Sequence, residues 1–334
     1  MAIIGIDIGA NNCKIAARDG AGMKLISSRM PENMVRDGEV ASPETMAKFL
    51  KDVRAEEHLR ERNCALVLSS TQVFFRHVTL PAMTVPELKL NLPYEFRDFI
   101  NENPDDYVYD YAVDEIVRDD MGEIVRMELF AAAASKATIE SYATMLKKAG
   151  FKLKAVMPAP MAYARLLADH ATRFPDDADR DTVLVDIGSA DVIVSLFRGG
   201  KFDSTRTIDF GCNDIDRVIA DIKGIDPYTA GSYKFTNFEG VLDDPEVLAI
   251  CDRLSIEVAK VVNFYNFNNP EREIEHIYFL AGGARISQLT NAIAEALSVP
   301  AMSVEALLPQ EACMQDNSPV CALAVAGMLE GEVM

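Results

Sequence analysis

Two short stretches of the sequence repeat one pattern of residues about half the chain apart. Asp7-Ile-Gly and Asp186-Ile-Gly each follow an apolar run and precede a few small polar residues and a second apolar run. Glycine lets a backbone approach a ligand closely, so the amides of such a turn can bind phosphate oxygens. Aspartate repels phosphate unless Mg²⁺ or its waters lie between them. The repeat predicts a phosphate site formed by both turns, with Mg²⁺ held by Asp7 and Asp186 through water.

Other residues near these turns suit the same ligand. Lys14 starts an apolar strand, where a cation could reach a phosphate, although a lysine at an exposed sheet edge is the alternative. Gly282 and Gly283 join a predicted strand to an amphipathic helix, where adenine or ribose could lie flat and the helix N-terminus favours negative charge. A plain connection is the alternative there. The residues predicted to surround the phosphates are Gly9, Ala10, Asn11, Asn12, Lys14, Gly188 and Ser189.

Composition excludes several classes of protein. The chain has 33 Lys and Arg against 52 Asp and Glu, a net charge of −19, so it lacks the basic surface that nucleic-acid binding requires. No apolar run reaches the roughly 18 residues that span a bilayer, and no secretory signal is visible. The six cysteines do not have the spacing of a zinc site or redox pair, which predicts buried thiols in a reducing cytoplasm.

The order of apolar segments predicts two α/β lobes, because the opening strand pattern restarts after an acidic, polar linker at residues 172–181. One stretch of the first lobe is α+β in character, with a helix over 85–100 that Pro93 should kink. The predicted boundaries are 1–171 for the first lobe, 72–135 for its inserted subdomain, 182–318 for the second lobe, 216–272 for a smaller helical and strand subdomain within it, and 319–334 for a helix that returns toward the first lobe.

Together these motifs resemble the actin-like ATPase superfamily, which includes FtsA and MreB. The step from Asp7 to Lys14 is similar to its first phosphate motif, Asp186-Ile-Gly-Ser to the second, and Leu280-Ala-Gly-Gly-Ala to the adenosine motif. The resemblance implies an actin-like (ribonuclease H-like) α/β fold with duplicated mixed sheets. Within the superfamily the chain is most similar to the PilM family of type IV pilus assembly proteins, most specifically over residues 80–100. FtsA ends in a basic amphipathic helix, and the acidic end of this chain disfavours it.

The PilM resemblance implies a set of ligands and partners. ATP would lie in the cleft, with Lys234 near its ribose and base and Arg285 as a further cofactor-binding residue. The cytoplasmic tail of a PilN-like inner-membrane protein would bind a groove beside the inserted subdomain, and the pilus motor ATPase would be a further partner. The chain would then be cytoplasmic and peripheral to the inner membrane. The residues predicted for the groove are Phe74, Arg76, Leu80, Leu88 and Phe96, for which ordinary core packing is the alternative.

Three departures from the family pattern predict slow or absent hydrolysis. Gly231 replaces the glutamate of an Ala-Glu-x-x-Lys motif, Ala159 replaces an acidic residue near the attacking water, and Val192 replaces a common threonine. Two other functions stay open. A small-molecule kinase of the same superfamily would need a general base, for which Asp191 is the candidate. A pseudo-ATPase would keep only its interaction surfaces.

Overall fold

The computed structural model describes residues 2–333 except 21, 37, 272, 273 and 314. The first part of the chain forms strands with helices between them, as alternating apolar patterns predict. Its elements are β1 (Ile4–Ile8), β2 (Asn12–Asp19), β3 (Gly22–Arg29), β4 (Val35–Arg36), β5 (Glu39–Val40), α1 (Pro43–Glu56), β6 (Asn63–Leu68), β7 (Val73–Leu80), α2 (Val85–Glu95), β8 (Tyr107–Arg118), β9 (Ile124–Ser135), α3 (Lys136–Lys148), β10 (Lys152–Pro158) and α4 (Ala159–Arg173).

The second part repeats the strand arrangement and adds more helices. Its elements are β11 (Thr182–Ile187), β12 (Val192–Arg198), β13 (Lys201–Ile208), α5 (Cys212–Lys223), α6 (Pro227–Thr236), α7 (Pro245–Asn268), β14 (His276–Leu280), α8 (Ser287–Leu297), β15 (Ala301–Ser303), α9 (Gln310–Cys313) and α10 (Ala322–Val333). Among the residues with described positions, no helix combines the length and apolar character needed to span a bilayer.

Two five-stranded sheets with the same plan form the centre of the molecule. The first has the order β10-β6-β1-β2-β3 and the second β13-β12-β11-β14-β15. In each, the leading strand pairs antiparallel with the next strand and parallel with a later one: β1 with β2 and β6, and β11 with β12 and β14. The predicted duplication of mixed sheets is confirmed, and it brings both Asp-Ile-Gly turns to the ends of equivalent strands.

Helix α10 packs against the first sheet although it lies at the opposite end of the sequence. Gly5 in β1 makes this approach possible, because a Cβ at that position would lie only 1.7 Å from the carbonyl oxygen of Ala324. Cys321, Ala324 and Met328 are fully buried in the core that results. Only glycine at position 5 allows such close contact between a helix and a strand.

Residues 73–135 form a separate small sheet of order β7-β9-β8, with α2 packed on one face. Helix α2 starts with a capping box in which the Glu87 carboxylate accepts from the Thr84 amide at 2.7 Å. The sequence predicted a helix to residue 100, but α2 ends at Glu95. Pro93 has no amide hydrogen to donate and lies in the last turn, so the chain continues in turns that still bury Phe96 and Ile100.

The other face of this small sheet contacts the second lobe. Phe130 of β9 packs between Phe75 and Phe202, with ring centroids 5.4 and 4.7 Å away. At the edge of this contact, Lys201 Nζ donates to the Asp114 carbonyl at 2.6 Å. Because Phe202 and Lys201 belong to β13, the inserted sheet rests directly on an edge strand of the second sheet.

Two predictions about connecting regions need correction. The smaller subdomain at about 216–272 was predicted to contain strand as well as helix. Its described residues, up to 271, contain helices and no strand, and Val247, Cys251, Leu254 and Val258 recur there at helical spacing. The predicted linker begins inside α4, which runs to Arg173. The remainder of that linker is tied to its surroundings, since the Asp177 carboxylate lies 2.8 Å from His170 Nε2.

Candidate functional site

A cleft of about 810 Å³ lies between the two five-stranded sheets, a volume typical of small-molecule sites. Both repeated turns and most of the predicted binding residues line it. The predicted residues on its walls are Asp7, Gly9, Ala10, Asn11, Asn12, Lys14, Asp186, Gly188, Ser189, Lys234, Gly282 and Arg285. Gly283 lies just behind the wall and is buried. Residues far apart in sequence therefore converge as the repeat predicted.

The two turns are closed by equivalent hydrogen bonds. The Gly9 amide donates to the Asn12 carbonyl at 3.0 Å, and the Gly188 amide donates to the Asp191 carbonyl at 2.9 Å. Between these residues, the amides of Ala10, Asn11, Ser189 and Ala190 donate to no acceptor in the described part of the chain. Four amides on two facing turns are thus available to an anionic ligand.

Lys14 lies in β2, beside the first turn. It is the cross-strand partner of Asp7, and its ammonium group lies 3.0 Å from the Asp7 carboxylate. Gly9 leaves the room for this, since a Cβ there would lie 2.4 Å from Lys14 Nζ. Burial alone would lower the pKa of Lys14, but Asp7 and Asp186 outweigh it and raise that pKa. The lysine therefore stays charged beside the first turn.

Asp186 faces Lys14 from the second lobe. The hydroxyl of Tyr163, a fully buried residue of α4, donates to the Asp186 carboxylate at 2.6 Å. Burial raises the pKa of Asp186 to about 6, despite the opposing effects of Tyr163 and Lys14. The pKa of Asp191 is also raised, by burial and by the nearby Asp209. The cleft thus holds carboxylates that are costly to ionise together, and a cation among them would lower that cost.

The late Gly-Gly turn has two distinct roles. At Gly283 a Cβ would lie 2.0 Å from the Ile187 side chain, so this glycine lets the turn pack against the end of β11. At Gly282 no atom lies within 4 Å of the Cβ position, so this residue borders open space. Helix α8 begins only at Ser287, after a 3₁₀ turn over Gly282–Arg285. The helix N-terminus is therefore displaced from the glycines that were predicted to join it directly.

Lys234 is held firmly at the second-lobe side of the cleft. Its ammonium group lies 2.7 Å from Asp216 and donates to the Cys212 carbonyl at 2.9 Å. The carboxylate atoms of Asp216 lie 3.5 to 3.6 Å from the place where a Cβ on Gly231 would be. An acidic group therefore reaches this region from α5, although position 231 on α6 has no side chain.

Two contacts between the lobes were not predicted. The Asn11 side-chain amide donates to the Asn213 side chain at 2.9 Å. The Arg29 guanidinium lies over the ring of Tyr228, 3.7 Å from its centroid. Asn11 and Asn213 line the cleft, and Arg29 is the cross-strand partner of Asn12. Both contacts therefore hold the lobes together beside the site.

The predicted groove residues separate into two groups. Leu80, Leu88 and Phe96 are buried in the core between α2 and the small sheet, which is the core packing named as the alternative for them. Their helical and alternating spacing marks the inner face of these elements. Phe74 is 39% exposed, and Arg76 is half-buried with its guanidinium 5.4 Å from the centroid of the exposed Phe99 ring.

No group of three or more His, Cys, Asp or Glu side chains among the described residues has the arrangement of a metal site. Asp7 and Asp186 could hold Mg²⁺ only together with waters and ligand oxygens, which is how Mg²⁺ usually binds beside phosphates. The raised pKa of Asp186 fits this arrangement, because a nearby divalent cation would favour its charged form.

Comparison with known proteins gives a consistent result. A sequence profile of the family described as type IV pilus assembly protein PilM matches residues 5–318. The structure is similar to a chain of the PilM-PilN type IV pilus biogenesis complex, with a TM-score of 0.82, 23% identity and 98% of each chain covered. It is also similar to the ethanolamine utilization protein EutJ from Carboxydothermus hydrogenoformans, with a TM-score of 0.62 and 15% identity over 98% of this chain and 89% of that one. No curated protein gives a match.

Proposed function

The chain belongs to the PilM family of type IV pilus assembly proteins, and on that premise we propose that it is an ATP-binding scaffold that receives the cytoplasmic tail of a PilN-like inner-membrane protein. The observation that carries the ATP proposal is the pair of equivalent turns, which present four unpaired amides and Lys14 to one cleft. The proposed location is cytoplasmic, at the inner membrane through that partner.

The residues around the cleft fit ATP with Mg²⁺ in a defined orientation. The amides of Ala10 and Asn11 on one turn, and of Ser189 and Ala190 on the other, would bind phosphate oxygens, with Lys14 between the turns. Bound Mg²⁺ would neutralise part of the phosphate charge. The ribose and base would extend toward Lys234 and the open space at Gly282, on the side of the second lobe.

The same cleft gives little support for rapid hydrolysis. Ala159 lies in its wall where an acidic residue would be needed to orient water, and it has no polar side-chain group. Asp186 already accepts a hydrogen bond from Tyr163. Asp191 is the remaining candidate base in the second turn, and burial and the nearby Asp209 raise its pKa. We therefore propose binding with slow or absent turnover.

The partner site is proposed beside the inserted sheet. Phe74 and Arg76 present aromatic and cationic groups there, together with the exposed Phe99. Residues 72–135 contain 13 acidic and 5 basic side chains, which favours a partner segment with basic residues. The similarity to a chain from a PilM-PilN complex supports a PilN-like tail as that segment.

A physical route connects the two proposed sites. Strand β13 contacts the inserted sheet through Phe202, and its other end reaches Thr207 and Asp209 in the cleft wall. Ser69 and Thr71, just before β7, also line the cleft. A change in the angle between the lobes when ATP binds would therefore be transmitted to the inserted sheet, and the tail would bind differently in the two states.

Isothermal titration calorimetry can test this function. ATP with Mg²⁺ is titrated into the protein with and without a synthetic peptide of a PilN-like N-terminal tail, and a scrambled peptide is the control. We expect both ligands to bind and each to change the affinity for the other by the same factor. Binding of neither ligand would refute the proposal. Peptide binding without ATP binding would instead identify a pseudo-ATPase, and ATP-dependent phosphorylation of a hydroxyl compound would identify a kinase.

A further inference from the structure

Phe235 is an aromatic residue exposed at the edge of the cleft. It belongs to α6, directly after Lys234, and it is 72% exposed while lining the cleft wall. The neighbouring rings of Tyr233 and Phe238 pack on each other with centroids 4.5 Å apart. Within the described structure, no aromatic ring packs against Phe235. One face of a large apolar side chain is therefore left open toward the site.

A cationic group lies beside this ring, on the Gly-Gly turn of the same lobe. The Arg285 guanidinium carbon lies 5.6 Å from the centroid of the Phe235 ring, and Arg285 donates to the Asp316 carbonyl. Gly282, three residues earlier, borders open space. Arginine and aromatic side chains both stack on planar conjugated groups. The two side chains and the glycine backbone thus lie together at one end of the cleft, where a planar base could stack.

The backbone at Phe235 is anchored by the residue before it. Lys234 is tied to Asp216 and to the Cys212 carbonyl, so the backbone at the end of α6 is anchored to α5. Asn237 then ends the helix with a left-handed conformation at φ 45°. A ligand that stacks on Phe235 therefore has to order the side chain but not the backbone.

We propose that Phe235 is the stacking platform for the base of the bound nucleotide, with Arg285 moving aside to cover its edge or its second face. This inference rests on the proposed binding of ATP and adds the residue that contacts the base. Stacking does not depend on which base is bound, because every base has a π-face. Phe235 therefore supplies affinity for purine nucleotides in general, and discrimination among them has to come from polar groups.

The test compares ligands with and without a base. ATP and tripolyphosphate, each with Mg²⁺, are titrated into the unmodified protein and into the Phe235→Ala, Phe235→Leu and Phe235→Tyr variants. Phe267→Ala is the control, because Phe267 is also highly exposed (83%) but lies at the end of α7 outside the cleft wall.

We expect Phe235→Ala to weaken ATP binding by roughly 5- to 150-fold, the range that follows from the loss of one base–aromatic stack. Phe235→Leu should lose most of this affinity and Phe235→Tyr should keep it, while tripolyphosphate binding and the control stay unchanged. ATP binding that is unaffected by Phe235→Ala, or an equal loss for tripolyphosphate, would overturn the stacking role alone. Failure of the unmodified protein to bind ATP would overturn the proposed function as well.

Discussion

Replacing Asp186 with asparagine is expected to stabilise the unliganded protein at neutral pH. The Asp186 carboxylate must stay ionised in a cleft that raises its pKa to about 6 from an ordinary value of 3.8. Asparagine has nearly the same shape, still offers an oxygen to the Tyr163 hydroxyl, and carries no charge. The variant therefore keeps the 2.6 Å hydrogen bond and removes the cost of ionisation.

The size of the effect follows from the pKa difference between the folded and unfolded states. A folded-state pKa above the unfolded value means that the folded protein holds the proton more tightly, so the stability contribution of Asp186 falls as pH rises through about 6. The difference between these two pKa values corresponds to a cost of about 3 kcal/mol for keeping Asp186 ionised in the folded protein at pH 7.5. This is an upper value, because water in the cleft screens part of it. At pH 5.0 the same two pKa values give a cost of about 1.6 kcal/mol.

Urea unfolding at pH 7.5 and 5.0 measures this difference. The chain has no tryptophan, so far-ultraviolet circular dichroism is the suitable signal, and pH 5.0 stays above the isoelectric point of about 4.6. We expect Asp186→Asn to be about 2 kcal/mol more stable than the unmodified protein at pH 7.5, with the gain reduced by about 1 kcal/mol at pH 5.0. The exposed Asp176→Asn change should have no such effect. A gain that is equal at both pH values, or a loss of stability at pH 7.5, would refute the reasoning.

Three further outcomes are expected from contacts around the cleft and the inserted sheet. Arg29→Ala removes the guanidinium from Tyr228 and should speed the release of a fluorescent ATP analogue by roughly 2- to 5-fold in stopped-flow measurements. Arg97→Ala removes a similar stack on Tyr94 in the inserted subdomain and should leave the release rate unchanged. Gly283→Ala places a methyl group 2.0 Å from Ile187 and should cost about 1–3 kcal/mol of unfolding free energy; an unchanged urea midpoint would contradict this packing. Phe202→Ala leaves a cavity beside Phe130 and should cost about 3–5 kcal/mol, and a loss below 1 kcal/mol would show that the inserted sheet does not depend on this contact.

The sequence was sufficient to predict the parts of the site that follow from local pattern. Each Asp-Ile-Gly turn is flanked by apolar strands of a few residues, and this alternation is readable without a structure. The pairing of Asp7 with Lys14 also follows, because two residues equidistant from a tight turn face each other across a hairpin. Gly9, Gly188 and Gly282 each come just after the end of a strand, and all three line the cleft.

Contacts between distant segments could not be predicted in the same way. Asn11 and Asn213 are 202 residues apart, and no periodicity or turn preference marks either of them. Tyr163 lies in an apolar helix, where its spacing indicates core packing, and only the fold brings its hydroxyl to Asp186. Leu80, Leu88 and Phe96 were assigned to a partner surface by family resemblance, but their spacing already indicated an inner face. For these three residues the apolar periodicity predicted the observed burial better than the family resemblance did.

The packing of α10 on β1 has a consequence for the order of events during synthesis. Gly5 is translated before the helix that covers it, because that helix contains Ala324 and is made more than 300 residues later. At 5–20 residues per second, this delay is roughly 15 to 60 s. Throughout that time the first sheet lacks one of its covering layers, so its apolar surface is open to chaperones or to other nascent chains. Completion of the first lobe therefore comes after the second lobe has been translated, and sequence order is not folding order.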